Sequence, residues 1–141
     1  QSRYELHDDV QYVDYSTKEL QEAISPREVL QLLLDGNARF RTGHSLSRDA
    51  SRQVQSTSQA SYPMAVVLSC SDSRTPTELI FDLGVGDVMN VCLAGNVMIG
   101  PRVLASIEYG CAVAGAKLVV VLGHTGSHIM SAAIDVLQNP G

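Results

Sequence analysis

The sequence predicts an α/β fold in which a parallel β-sheet core is flanked by helices and preceded by an N-terminal helical arm. Two observations predict it. Residues 1–60 hold nine acidic and seven basic side chains, whereas residues 61–141 hold six and three. In the second region short apolar runs alternate with helical patterns, as in a parallel sheet with right-handed crossovers. We therefore divide the single domain into an arm and loop over 1–60 and an α/β core over 61–141.

The arm contains two predicted helix starts. Ser16 with Glu19, and Ser25 with Glu28, have the spacing of a capping box. Pro26 stands at the first helical position of the second helix, where a missing N–H is harmless. This helix carries an apolar stripe that must pack on the core or on a partner chain, formed by Val29, Leu30, Leu33, Leu34 and Phe40. Residues 45–61 fit either a surface loop or a poorly packed helix.

Three apolar runs in the core region predict β-strands, namely Met64–Ser69, Val88–Leu93 and Lys117–Leu122. Each run is apolar at odd and even positions alike, which is typical of a sheet covered on both faces. One helix is predicted to begin at Pro101 and to end before Gly115. Another is predicted from His128 to Leu137.

Composition restricts the classes of function. The 141 residues are enough for one domain with its own core, and 45% apolar against 18% charged residues excludes general disorder. A net charge of −5 without a basic tract argues against a nucleic-acid partner. The apolar runs are too short to span a membrane, and residues 1–14 do not resemble a secretory signal. Three cysteines, an odd number, indicate thiols or metal ligands in a reducing compartment, so we expect a cytoplasmic location.

Chemically versatile side chains follow the predicted strands. Cys70, Asp72 and Arg74 end the first strand, Ala94-Gly95-Asn96 follows the second, and His124 follows the third. Ligand sites of open parallel sheets lie at the carboxyl ends of the strands. Sulfur and nitrogen ligands suit zinc. The pattern therefore predicts a metal or anion site at this edge.

Each of these residues also has a purely structural explanation. Cys70 could be a small buried apolar residue, and His124 a histidine of the core. Asp72 could cap a turn, with Arg74 as its ion-pair partner. Their combination at three strand ends favours the functional interpretation.

The order Cys70-Ser-Asp-Ser-Arg74, then Ala94-Gly95-Asn96, then Gly123-His124 resembles the β-class carbonic anhydrases. The segments 65–74 and 108–117 are similar in particular to the carbonic-anhydrase-like domain appended to SulP-type anion transporters. The resemblance covers residues 25–137. Members of that family usually carry one more strand and further helices, and we expect those to be missing here.

The resemblance implies a zinc enzyme that interconverts CO2 and bicarbonate. In that family Cys70 and His124 match two zinc ligands, and the third is a cysteine three residues after the histidine. Asp72 and Arg74 match a catalytic pair in which the arginine draws the aspartate off the metal. The family also implies a homodimer embraced by the helical arm, and the transporter-linked members imply fusion to a membrane transporter.

The sequence departs from that family at two places. Ser127 stands where the cysteine ligand belongs, and a neutral hydroxyl is a poor zinc ligand. A serine before a helix is also an ordinary N-cap. Cys92 stands where an arginine is usual, so the pocket loses a positive charge.

Three outcomes remain open. Asp72 stays on the metal permanently, or His128 or Cys92 supplies the missing ligand, or zinc does not bind firmly. In the last case the domain is an inactive dimerisation or regulatory module of a transporter. We expect weak or absent activity.

Two other enzyme classes do not fit. A cysteine phosphatase needs a phosphate-wrapping loop, but only three residues separate Cys70 from Arg74. A dinucleotide site needs glycines that open a helix, whereas Gly84-Val-Gly86 leads into a predicted strand.

Overall fold

The computed structural model describes residues 4–7, 10–12, 15–71, 74, 76–94 and 100–139. For residues 4–7 and 10–12 it describes the backbone alone. In chain order the elements are β1 (Tyr4–His7), β2 (Val10–Tyr12), α1 (Lys18–Ala23), α2 (Pro26–Thr42), α3 (Ala50–Ser56), β3 (Ala65–Cys70), α4 (Thr77–Ile80), β4 (Val88–Leu93), α5 (Pro101–Glu108), a π-helical turn (Tyr109–Val113), β5 (Leu118–Leu122) and α6 (His128–Gln138).

The core is a parallel sheet with strand order β4-β3-β5. All three predicted strands are present, each within one residue of its expected bounds. Helices flank the sheet, so the α/β fold class is confirmed. The order places β3 in the centre, where every one of its residues is buried.

Coverage of both sheet faces was expected for all three strands, and this prediction is wrong for the two outer ones. Burial alternates along β4 and β5. In β5, Leu118, Val120 and Leu122 pack against the core, whereas Val119 and Val121 are 42% and 65% exposed. An outer strand has a neighbour on one side only, and the described helices cover only one face of β5.

The helices of the arm contribute directly to the core. Leu20, Ile24, Val29 and Leu33 are buried in one cluster with residues of β3 such as Val67. The remaining stripe residues Leu30, Leu34 and Phe40 are exposed. The predicted stripe is therefore only partly the packing face of α2, and the boundary proposed at residue 60 stays a prediction.

The two predicted capping boxes have different outcomes. At α2, Ser25 Oγ accepts a hydrogen bond from Glu28 N at 3.2 Å and Glu28 Oε1 accepts from Ser25 N at 3.2 Å, so this box is confirmed. At α1 the prediction that Ser16 caps the helix is wrong. Thr17 is the N-cap there, because Ser16 N donates instead to buried Asp87 Oδ1 at 2.5 Å. The helix therefore begins one residue later.

Two further elements differ from the expected arm. β1 and β2 form an antiparallel hairpin that the sequence did not predict. Residues 45–61 combine both of the alternatives, since a loop precedes the short helix α3. In α3 only Gln53 is buried, so this helix is poorly packed.

A buried carboxylate connects α2 to the segment after α4. Asp82 is 4% exposed and adopts a left-handed backbone conformation, with φ of 47°. Its carboxylate oxygens lie 2.5 Å from Arg39 Nε and 2.5 Å from Arg48 Nη1, and also accept from Leu46 N. Burial opposes ionisation, but the hydrogen bonds from Arg39, Leu46 and Arg48 outweigh it, so the pKa of Asp82 lies below its usual 3.8.

Replacing this charge should destabilise the fold. Asp82→Asn retains the shape of the side chain but leaves Arg39 and Arg48, which are 11% and 10% exposed, without their counter-charge, and this costs about 3 kcal/mol. The free energy of unfolding, measured by urea denaturation, should fall by that amount at pH 7. Because the folded-state pKa is lowered, the contribution is complete above pH 3.8 and is lost as the pH falls through the lowered value.

Asp135→Asn, an exposed change on α6, is the matched control and should leave the unfolding midpoint unchanged. Equal stability of wild type and Asp82→Asn at pH 7 would contradict this role of the ion pairs.

Candidate metal centre

The parallel register brings Cys70 and His124 to the same edge of the sheet. Ser69 of β3 is paired with Leu122 of β5, so Cys70 and Gly123 are the next residues along the two strands, and His124 follows. Cys70 is 3% exposed and is held in the ladder on its other side, where it is paired with Leu93. Two of the predicted site residues are therefore neighbours at adjacent strand ends.

The ring of His124 is in the orientation that suits a nitrogen ligand. Its Nδ1 lies 2.9 Å from the carbonyl oxygen of Thr125. Because a carbonyl only accepts, Nδ1 is the donor in this hydrogen bond, and in the neutral imidazole the lone pair is then on Nε2. Nε2 is shielded from solvent. Metal-binding histidines usually have this arrangement, in which a carbonyl fixes the tautomer.

Arg74 reaches the loop that follows β5. A Cβ atom placed on Gly126 would lie 3.5 Å from Nη2 of Arg74, so the guanidinium group lies beside this loop. Gly126 has φ of 68°, a conformation that favours glycine. The positive charge of Arg74 thus lies beside Gly126, which is two residues after His124 and directly before Ser127. Asp72, Gly95 and Asn96, which were predicted to share this edge, lie outside the described residues.

Ser127 is the N-cap of α6. Its Oγ accepts a hydrogen bond from Met130 N at 3.2 Å, and its carbonyl accepts from Ser131 N at 3.1 Å. The hydroxyl therefore has a structural partner, as an N-cap serine does. His128 is the exposed first residue of the same helix.

A cavity of about 370 Å³ adjoins the carboxyl end of β3. Cys70 lines it together with Cys92, whose Sγ lies 3.5 Å from Ser69 Oγ. Glu78 and Asn90 also line it and are linked by a hydrogen bond of 2.7 Å. The sequence analysis missed these last two residues. The available signal was Asn90, a polar residue inside the otherwise apolar β4.

A second cavity, of about 750 Å³, lies near the amino ends of β3 and β4, with Pro63 and Val88 in its lining. It therefore lies at the opposite end of the strands from Cys70 and His124. Although this cavity is larger, we do not regard it as the candidate site.

The donor set fits zinc in part. A thiol at Cys70 and an Nε2 lone pair at His124 are zinc ligands by type, and both come from rigid strand ends. Within the described residues, no three His, Cys, Asp or Glu side chains group closely enough to hold a metal. Asp72, one of the candidates for a third ligand, lies outside the described residues, and the hydroxyl of Ser127 caps a helix.

No helix in the described part of the chain is both long and apolar enough to cross a bilayer.

Comparisons with known proteins point to one family. Residues 65–141 match the family model described as carbonic anhydrase. A carbonic anhydrase of Mycolicibacterium smegmatis is 43% identical over 116 residues, which cover 81% of this chain and 55% of the relative. Carbonic anhydrase 2 of Mycobacterium tuberculosis is 37% identical over 116 residues, which cover 82% and 56%. The chain thus spans slightly more than half the length of these curated relatives.

Solved structures share the fold. The β-carbonic anhydrase CcaA matches with a TM-score of 0.56 and 24% identity, over 78% of this chain and 55% of that one. The β-carbonic anhydrase CafA of Aspergillus fumigatus matches with a TM-score of 0.55 and 25% identity, over 77% and 50%.

Cys70→Ala should lower the zinc content below that of the wild type, because the substitution removes the sulfur ligand at the end of the central strand. Zinc per chain, measured by mass spectrometry after dialysis of zinc-loaded protein, is the readout. Cys111→Ala removes a half-buried thiol of the π-helical turn and is the control. If both variants retain the zinc of the wild type, Cys70 is not a ligand.

Proposed function

The chain belongs to the carbonic anhydrase family, and we propose that it catalyses the zinc-dependent, reversible hydration of CO2 to bicarbonate, at a rate lowered by Ser127. The observation that carries the proposal is the placement of Cys70 and His124 at adjacent ends of β3 and β5, with Arg74 beside the following loop. The 43% identity to a carbonic anhydrase supports the assignment of the reaction.

We propose Cys70, Asp72 and His124 as the residues that hold zinc. With a carboxylate in place of the usual second thiolate, this set has the same formal charge as one histidine and two cysteines. Zinc, when bound, lowers the pKa of a coordinated water from about 15.7 to about 7, so that hydroxide forms at neutral pH. As a permanent ligand, Asp72 is not free to alternate with Arg74 in the manner the family resemblance implies.

Two further residues assist the proposed site: Thr125 orients the ring of His124, and Arg74 attracts the bicarbonate anion. The carbonyl of Thr125 fixes the imidazole of His124 through Nδ1. Arg74 supplies a positive charge with several N–H donors, and this suits the planar bicarbonate anion. Its exposed position allows it to attract the anion from solvent and to release it again.

Ser127 is the reason for the lowered rate. Its Oγ is occupied by Met130 N, and a neutral hydroxyl would balance less of the metal charge than a thiolate. Loss of an outer-shell partner alone reduces metal affinity by about 10- to 100-fold. Loss of a direct ligand should reduce it further.

The second candidate function is an inactive dimerisation or regulatory domain beside a SulP-type anion transporter. The use of Ser127 as an N-cap favours it, because the family's third ligand is then missing. In both cases we propose a homodimer on the cytosolic side of the membrane, with CO2 or bicarbonate as the ligand. We do not propose Cys92 or His128 as a zinc ligand, because both side chains are exposed.

Ser127→Cys should strengthen zinc binding and increase the rate of CO2 hydration. We expect zinc content after dialysis to rise towards one ion per chain and the rate, measured by stopped flow with a pH indicator, to rise at least about tenfold. Ser131→Cys adds a thiol one turn later on the same helix and should change neither.

The wild-type result decides between the two candidates. Zinc in the wild type together with hydration above the buffer rate supports the enzyme. A wild type without zinc or activity, rescued by Ser127→Cys, supports the regulatory domain. If Ser127→Cys and Ser131→Cys both behave like an inert wild type, the proposed zinc site is wrong.

A further inference from the structure

A carboxylate lines the cavity at the carboxyl end of β3. Among the described residues that line this cavity of about 370 Å³, Glu78 is the one Asp, Glu, Lys or Arg, and the others are Ser, Cys, Pro, Thr and Asn. Glutamate side chains are ordinarily ionised at neutral pH. Cys70, which we propose as a zinc ligand, lines the same cavity. A negative charge therefore lies in the space that adjoins the proposed site.

The carboxylate of Glu78 is held in place by a neutral group. Asn90 Nδ2 donates a hydrogen bond of 2.7 Å to Glu78 Oε1, and an amide orients a carboxylate without cancelling its charge. Glu78 is half-buried on α4. Water and salt screen such a charge less than they screen a fully exposed one. The charge therefore acts on the cavity from a fixed place.

The thiol of Cys92 lies in the same cavity and can be reached from solvent. Asn90 and Cys92 are two residues apart on β4, so their side chains lie on the same face of the sheet. Cys92 Sγ lies 3.5 Å from Ser69 Oγ, another group of the lining, and Cys92 is exposed. A reagent that reaches this thiol is therefore subject to the charge of Glu78.

The positive charge of the proposed site lies on the other side of the sheet edge. Arg74 Nη2 lies beside Gly126, in the loop that follows β5. Glu78 is bonded to β4 instead, and β3 separates β4 from β5. A cleft lined by one sign of charge changes the local concentration of ions but not of uncharged molecules. Anions are therefore attracted on the β5 side and repelled on the β4 side.

We propose that the cavity beside β4 admits uncharged molecules in preference to anions, and that Glu78 is the residue that sets this specificity. Together with the proposed function, this makes CO2 the molecule that enters through the cavity, whereas bicarbonate leaves on the side of Arg74. The inference rests on the proposed function only for the identity of these two molecules, because the charge that Glu78 contributes does not require zinc.

The test compares two alkylating reagents of nearly equal size on the full chain. Iodoacetate is an anion and iodoacetamide is uncharged. With both, the thiolate sulfur forms a C–S bond and iodide leaves, so the ratio of the two rates cancels the reactivity of the thiolate and reports the charge around it. Peptide mass spectrometry assigns the rates to each cysteine. Glu78→Gln should raise the rate of iodoacetate relative to iodoacetamide at Cys92 at least about threefold at low ionic strength, and added salt should reduce this effect.

Two controls show whether the effect is local. Glu108→Gln removes the same charge from an exposed position at the end of α5, and it should leave the ratio at Cys92 unchanged. In Glu78→Gln, the ratio at Cys111 in the π-helical turn should keep its wild-type value. If wild type and Glu78→Gln have the same ratio at Cys92, or if Glu108→Gln raises it equally, the proposal is wrong.

Further measurements separate this inference from folding and from the proposed reaction. Should Glu78→Gln fail to fold by circular dichroism, Asn90→Lys carries the same prediction, because it places a positive charge next to Glu78. In zinc-loaded protein that hydrates CO2, inhibition by the anion thiocyanate should strengthen at least about threefold in Glu78→Gln, and unchanged inhibition would contradict the role of Glu78. A wild type without hydration activity counts against the proposed function, and the alkylation ratio still decides on the charge of the cavity.

Discussion

The register of β3 between β4 and β5 is the constraint on which the candidate site depends. Side chains alternate along a strand, so a slip of one residue would turn every side chain of β3 to the opposite face of the sheet. Cys70 would then no longer stand opposite Leu93, nor next to the strand that leads to His124. The position of two donor atoms at one edge is thus a consequence of backbone pairing over the whole strand.

Interactions at the amino end of the sheet hold this register. Met64, just before β3, donates to the carbonyl of Asp87 and accepts from Lys117 N, which extends the ladder towards both neighbours. The buried amide of Gln21 adds two hydrogen bonds of 2.7 Å, to the carbonyls of Pro63 and Ala114. It thereby connects α1 to the segments that precede β3 and β5. A side chain at Gly115, which has φ of 86°, would come within 2.8 Å of this amide.

The features predicted best from the sequence are those that depend on residues close together in the chain. The three strands are uninterrupted apolar runs, and the box at Ser25 is complete within four residues, so no distant partner was needed to recognise them. The start of α1 was misplaced because Ser16 binds Asp87, 71 residues away. The hairpin β1–β2 was missed although apolar and polar residues alternate in Tyr4–His7 and Val10–Tyr12, because strands of four and three residues are too short for the pattern to stand out. Glu78 and Asn90 line the cavity through a contact between separate elements, and spacing in the sequence cannot reveal such a contact.

The start of α6 and the proposed zinc site make different demands on position 127. At the first turn of α6, Ser127 Oγ accepts a hydrogen bond from Met130 N. Replacing an N-cap serine by a residue without a good acceptor costs about 1 kcal/mol of stability. Packing adds little to this helix, since most of its large apolar residues, Met130, Ile134, Val136 and Leu137, are exposed. A cysteine would serve the proposed zinc site better and the helix worse. Firm zinc binding would itself fix the loop before α6, so a chain with cysteine could dispense with the cap, whereas this chain retains the helix start by the hydroxyl alone.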